Sequence, residues 1–150
     1  MLCGLSIRNI VLIDSLDLSF SRGLTVLSGE TGAGKSILLD ALGVALGGRV
    51  DTSMRRDGAP QASVTATFEI KNHEFLEEFF DKSGLSVNGP EEQLLHLRRV
   101  INDDGRTRAF INDQPVTANM LREIGDLLVE IQGQFDAQGL MNSKTHLKIL

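Results

Sequence analysis

Residues 5–13 are apolar and rich in β-branched side chains, and residues 14–20 (DSLDLSF) alternate apolar with polar positions. Two strands are therefore predicted at the start of the chain. Ser21, Arg22 and Gly23 give a turn signal, and the short apolar run LTVL at 24–27 suits a buried central strand. A glycine-rich loop follows at 28–34. From Lys35 to about Leu46 the residues favour helix, and Gly47 with Gly48 end it.

Further along, residues 49–60 form a polar loop holding Arg49, Arg55 and Arg56. Residues 62–70 place Val64, Ala66, Phe68 and Ile70 on one face, which predicts a strand. Phe75, Leu76, Phe79 and Phe80 recur at helical spacing within 73–83, closed by Gly84, and read as core. Residues 93–101 and 106–111 read as strands joined by a hairpin turn at Asn102, Asp103, Asp104 and Gly105. Residues 112–115 read as another turn. Thr117 is placed to cap a helix running to about Leu127. Residues 128–131 read as a short apolar strand and 132–139 as a polar loop. A last helix is expected from about Ser143, so residue 150 does not read as a natural C-terminus.

Composition narrows the class. The 150 residues suit one domain, and 41% hydrophobic with 23% charged residues excludes a disordered or fibrous chain. The net charge of −5 argues against nucleic-acid binding by the whole surface but leaves a local basic patch open. Cys3 stands alone, so no internal disulfide forms; the chain reads as intracellular and Cys3 as a small buried apolar residue. No apolar stretch reaches the roughly 18 residues of a membrane helix. The N-terminus lacks the basic lead of a secretory signal. With neither Trp nor Tyr, any base stacking rests on seven Phe. His73, His96 and His146 are too scattered for a metal cluster.

One segment carries chemistry. Gly29, Glu30, Thr31, Gly32, Ala33, Gly34, Lys35 and Ser36 fit the phosphate-binding pattern G-x-x-x-x-G-K-[ST]. Glycines let the backbone wrap so that several N–H groups point at phosphate oxygens. The helix that follows aims its positive end at the same place. Lys35 supplies a mobile charge for the β- and γ-phosphates, and Ser36 a hydroxyl for Mg²⁺. An apolar strand before the loop and a helix after it supply the required context. Hydrolysis also needs an acidic strand-end residue for the metal. The one near match is Leu127, Leu128, Val129 and Glu130, and it reads as a structural strand.

The two strands followed by GETGAGKSILLDALGVALGGR resemble the ABC/SMC class of ATPases, and within it the RecN family of SMC-like bacterial DNA repair proteins. Arg56-x-Gly58-Ala59, the strand at 64–70, Arg106-x-Arg108-x-Phe110-Ile111-Asn112 and Val129-Glu130-Ile131-x-Gly133-Gln134 are also similar to that family. The resemblance implies an α/β P-loop NTPase head of mixed sheet with an antiparallel β insert. It implies that residues 1–150 are the N-terminal part of that head, an incomplete half-domain cut before a coiled coil. The signature motif, acidic Mg²⁺ motif and catalytic carboxylate belong to the other half. The cofactors implied are ATP and Mg²⁺, with ATP held by residues 29–36 and Ile37. The loop at 131–140 resembles the Q-loop, whose glutamine reaches Mg²⁺ and the attacking water. Gln132 is preferred for that role over Gln134, although family members more often read H-G-Q there.

Partners follow from the same resemblance: DNA, a second head of a homodimer, no membrane, and a cytoplasmic, nucleoid-associated setting. Arg8 and Asn9 sit where similar proteins place residues beside the base, or else form a surface strand end. Arg56 matches a position near phosphates or DNA, or lies in a solvated loop. Arg98, Arg99, Arg106 and Arg108 flank the predicted hairpin, where alternation groups Arg106 with Arg108 and separates Arg98 from Arg99. Arg106 and Arg108 are candidate DNA contacts. Competing readings are an ABC transporter ATP-binding subunit and a small P-loop kinase. The first expects an adenine-stacking aromatic before the P-loop, and the second an arginine-rich lid. A chain that binds nucleotide and turns over nothing is the reading without catalysis.

Overall fold

The computed structural model describes residues 1–20, 32–71, 74–85 and 94–133. Six strands form one sheet: β1 (Leu2–Ile10), β2 (Ile13–Ser19), β3 (Gln61–Glu69), β4 (Leu94–Asn102), β5 (Thr107–Ile111) and β6 (Gln114–Val116). Their order is β2-β1-β3-β4-β5-β6. Every pairing among the described residues is antiparallel. The strand expected at 24–27, which would make the sheet mixed, lies outside the described residues. Among the described residues three α-helices accompany the sheet: α1 (Gly32–Ala45), α2 (Glu74–Ser83) and α3 (Ala118–Gly133).

Alternation along the strands separates two faces. Ala62, Val64, Ala66 and Phe68 of β3 are buried, and the residues between them are half-buried. Leu95, Leu97 and Ile101 of β4 continue the buried face across the sheet. Ala41, Val44 and Ala45 of α1 belong to the core, with Leu121, Ile124 and Leu128 of α3 and Leu76, Phe79 and Phe80 of α2. Helix α1 lies on β1, β3 and β4, and α3 lies on β5. The opposite face carries Ser6, Arg8, Asp17, Thr65, Thr67, His96 and Arg98, as expected of a sheet covered on one side.

Both glycine-terminated helices end as expected. Gly47 takes φ +89°, and Gly48 N donates to Gly43 O at 2.8 Å. Gly84 takes φ +70°, and Leu85 N donates to Phe80 O at 3.1 Å. Each left-handed glycine satisfies carbonyls that a helix end leaves orphaned.

Four boundaries differ from the sequence reading. The first strand does not run through residue 13, because Val11 and Leu12 form a turn and Ile10 pairs with Ile13. Val11 has φ +49°, unusual for a β-branched residue, and its N donates to Met54 O at 2.8 Å. That turn is made by a tertiary contact, so no Gly or Pro marks it. The turn expected at 112–115 is only Asn112 and Asp113, both at positive φ. Gln114 and Pro115 are in β6, an edge strand, where proline is tolerated. Helix α1 begins at Gly32, inside the glycine-rich loop. Finally, 128–131 is helix, not strand. Leu121, Ile124 and Leu128 form one buried stripe at helical spacing, and α3 carries it through to Gly133.

Cys3 is half-buried, not fully buried. Burial and then the charge of Glu69 push its thiol pKa up, which makes it a poor nucleophile.

Candidate functional site

Helix α1 opens within the phosphate-binding motif: Gly32, Ala33, Gly34, Lys35 and Ser36 are its first five residues. Its first turn holds no acidic residue, so nothing on the helix neutralises its positive end. Ser36 is exposed and Ile37 is partly buried against the core. Ile37 thus anchors the helix on the sheet, while Ser36 stays on the open side. Gly29, Glu30 and Thr31 lie outside the described residues, as do the side chains of Gly32 through Lys35.

The far end of α1 is fixed by close backbone approach to α3. A Cβ on Gly47 would lie 2.4 Å from Arg122 N, and one on Gly125 2.6 Å from Leu46 O. Arg122 Nε donates to Gly47 O at 3.3 Å. This junction sets the direction of α1 and hence where its N-terminus points.

The structure brings Asn9 and Arg56 together. Arg56 N donates to Asn9 O at 2.8 Å, and Ile10 bridges to Arg55. Asn9 takes φ +56°, and its Nδ2 donates to Gln61 O at 3.0 Å. The Arg55 guanidinium donates to Ala59 O, which closes the loop around Gly58. Arg56 keeps a half-exposed guanidinium whose Nη1 is 3.5 Å from Asp14 Oδ1. Arg8 is elsewhere, on the polar face of the sheet. Its Nη2 lies 2.9 Å from Asp17 Oδ1, and its Nη1 donates to Ile7 O at 2.8 Å. Hydrogen bonds from Ser6 and then Arg8 hold the Asp17 carboxyl below its usual range. Arg8 is thus committed within the sheet, whereas Asn9 and Arg56 form one cluster at the end of β1.

The hairpin arginines separate as alternation required. Arg98 and Phe110 pair across β4 and β5, with the guanidinium 4.4 Å from the ring centroid. Arg98 Nη2 is also 3.5 Å from Asp113 Oδ1. Arg108, opposite Val100, is exposed. Arg106 precedes β5, exposed, with Nε 3.7 Å from Asp104 Oδ2. Arg99 points the other way and is only 6% exposed, between the buried Leu97 and Ile101. That burial was legible in the sequence from its apolar neighbours at two-residue spacing. Its consequence is a cation on the core side of the sheet.

Gln132 is in the last turn of α3, so residues 131–133 of the expected loop are helical. Gln134 and the rest of that loop lie outside the described residues, as do His73 and His146. The near match for an acidic strand end, residues 127–130, is likewise helical. No strand therefore presents Glu130 at its end.

Residues 4–146 match the AAA domain family. The chain is 42% identical to the DNA repair protein RecN of Haemophilus influenzae, aligned over all of this chain and 27% of that protein. It is 43% identical to RecN of Vibrio cholerae and 40% to RecN of Bacillus subtilis, again over all of this chain and 26% of each. The chain thus spans about a quarter of the length of these relatives. Among solved structures, an SMC ATPase studied for ATP-driven dimerization and DNA-stimulated activation superposes with a TM-score of 0.64 at 22% identity. That match covers 82% of this chain and 76% of the other. The SMC head domain of Thermotoga maritima gives 0.60 at 20% identity, over 82% of this chain and 41% of that one. At these identities the likeness establishes the fold.

Proposed function

We propose, from the premise that this chain belongs to the AAA domain family and has the fold of an SMC-type ATPase head, that it binds ATP at residues 29–36 for RecN-like recombinational DNA repair. The observation that carries the proposal is the start of α1 inside the motif, with no acidic residue in its first turn. Free backbone N–H groups and the helix dipole favour a phosphate there. Gly29, Glu30, Thr31, Gly32, Ala33 and Gly34 supply the wrapping backbone, and Lys35 the charge toward the β- and γ-phosphates. The exposed Ser36 hydroxyl suits a Mg²⁺ ligand. Such an ion neutralises phosphate charge. Ile37 holds the helix to the core. Asn9 and Arg56, joined at the end of β1, are our candidates for further nucleotide contacts, with Arg8 reduced to a support for the sheet.

Hydrolysis is assigned to the intact protein. Residues 127–130 are helical and so do not supply the acidic strand end sought in the sequence. Gln132, or Gln134, is retained as the candidate partner of Mg²⁺ and water. A second head of a homodimer is the expected source of the missing groups. DNA is the expected macromolecular partner, met through Arg106 and Arg108, in the cytoplasm at the nucleoid. No helix among the described residues is long and apolar enough to cross a membrane.

Phosphate release tests the assignment. With ATP and Mg²⁺ this chain is expected to bind nucleotide and release no phosphate above an Lys35→Ala control. Turnover at the ordinary rate of a complete enzyme, around 1 s⁻¹ or faster, would overturn it.

A further inference from the structure

A cavity lies on the core side of β5, opposite the hairpin surface. Arg99 is 94% buried on the 6% exposure just given, yet two of its three guanidinium nitrogens, Nε and Nη1, have no hydrogen-bond partner. Only Nη2 is engaged, donating to Thr107 Oγ1 at 3.1 Å. A buried charge left this incompletely satisfied is costly, and no carboxylate among the described residues pairs with it. Arg99 lines a cavity of about 430 Å³ together with Thr107, Arg108, Val116, Thr117 and Ala118. None of the residues lining the cavity is acidic.

The surroundings all carry the same sign. Thr117 caps α3 through Oγ1, which accepts from Met120 N at 3.1 Å, so the N-terminus of this 16-residue helix opens on the cavity. The first turn of α3 has no acidic residue. The charge of Arg122 acts on Arg99. Burial first, and Arg122 second, lower the Arg99 pKa, the signature of a cation without a counter-ion. The hydroxyls of Thr107 and Thr117 add polar contacts at the wall.

We propose that this cavity is a binding site for an oxyanion, a phosphate or carboxylate group, with Arg99 as its principal ligand and the α3 N-terminus as its support. The site is separate from the P-loop: it is built from β4, β5, β6 and α3, and shares no residue with α1. Its charge and open nitrogens favour phosphate over chloride, since phosphate oxygens accept several donors at once.

The probe is inorganic phosphate titrated into the full chain at constant ionic strength, with the arginine Nε–H signals followed by NMR. The Arg99 signal is assigned by its loss in Arg99→Lys. It is expected to shift saturably with phosphate, with a dissociation constant on the order of 1 mM, and not with added chloride. Arg106→Gln and Arg108→Gln, on the other face of the sheet, are expected to leave the response unchanged. Acetate distinguishes the two chemistries: a matching saturable shift identifies a carboxylate-accepting site, and none identifies a phosphate site. An Arg99 signal that does not move with either anion overturns the proposal. So does a shift that never saturates and is shared equally by Arg106. If Arg99→Lys fails to fold, through-bond assignment of the wild-type chain identifies the Arg99 signal and the same titration decides the matter.

Discussion

Arg8 looks like a free cation in the sequence, and the structure pairs it with Asp17, nine residues on and across a turn that no residue type signals. The pairing has a pH consequence. Ser6 and Arg8 favour the ionised carboxylate, so the folded pKa lies below the unfolded one, taken as 3.8. The resulting stability is present above the unfolded value and is lost as pH falls through the folded value. Asp17→Asn is therefore expected to lower the melting temperature at neutral pH, with the difference closing as pH falls below 3.8 and through the folded value. A difference constant with pH would contradict this. Thr117 was legible as a cap, because a hydroxyl just before an apolar periodic run has one common use. Thr117→Ala should cost about 1 kcal/mol in urea unfolding. Gly47 was legible as a helix stop, but its contact with Arg122, 75 residues away, was not. Gly47→Ala suffers both the positive φ and the overlap with Arg122 N. It should cost more than the ~1 kcal/mol of an ordinary left-handed glycine replacement.

Elements with a clean period were readable. Strand β3 shows its alternation directly, and α2 shows its helical spacing with Gly84 at the end. The end of α3 was misread because Leu127, Leu128 and Val129 form a short apolar run, and a run of that kind carries no period of its own. Tertiary packing decides it, since Leu128 extends the stripe begun by Leu121 and Ile124. Leu128→Ala should accordingly cost about 2–5 kcal/mol, and the half-buried Val129 clearly less on replacement by Ala. Equal losses at both positions would revive the strand reading. The β4–β5 hairpin carries a separate expectation. If Arg106 and Arg108 meet DNA phosphates, each Ala replacement should weaken binding for all sequences alike and reduce the salt slope by roughly one. An unchanged slope would remove that pair from the DNA surface.

At the scale of the molecule, the polar-outside sheet, the helices on one face and the P-loop at the head of α1 form one scheme. The sheet holds α1 by its middle, and Gly47 and Gly125 lock its far end against α3. The helix N-terminus is thereby aimed from a rigid base. The motif was wholly legible because phosphate binding needs particular residues at particular spacings. The union of Asn9 with Arg56 was not, since it depends on a loop folding back over 46 residues to donate one N–H. The buried Arg99 shows the same limit: its face was readable, but not the cavity it opens on. The central claim is that α1 presents a nucleotide site that depends on Lys35. It is tested most directly by Mg²⁺-dependent binding of a fluorescent ATP analogue to the wild-type chain and to Lys35→Ala, with circular dichroism of both. The account predicts saturable binding by the wild type and its loss in a variant that keeps its fold. Equal binding by two equally folded proteins would contradict it.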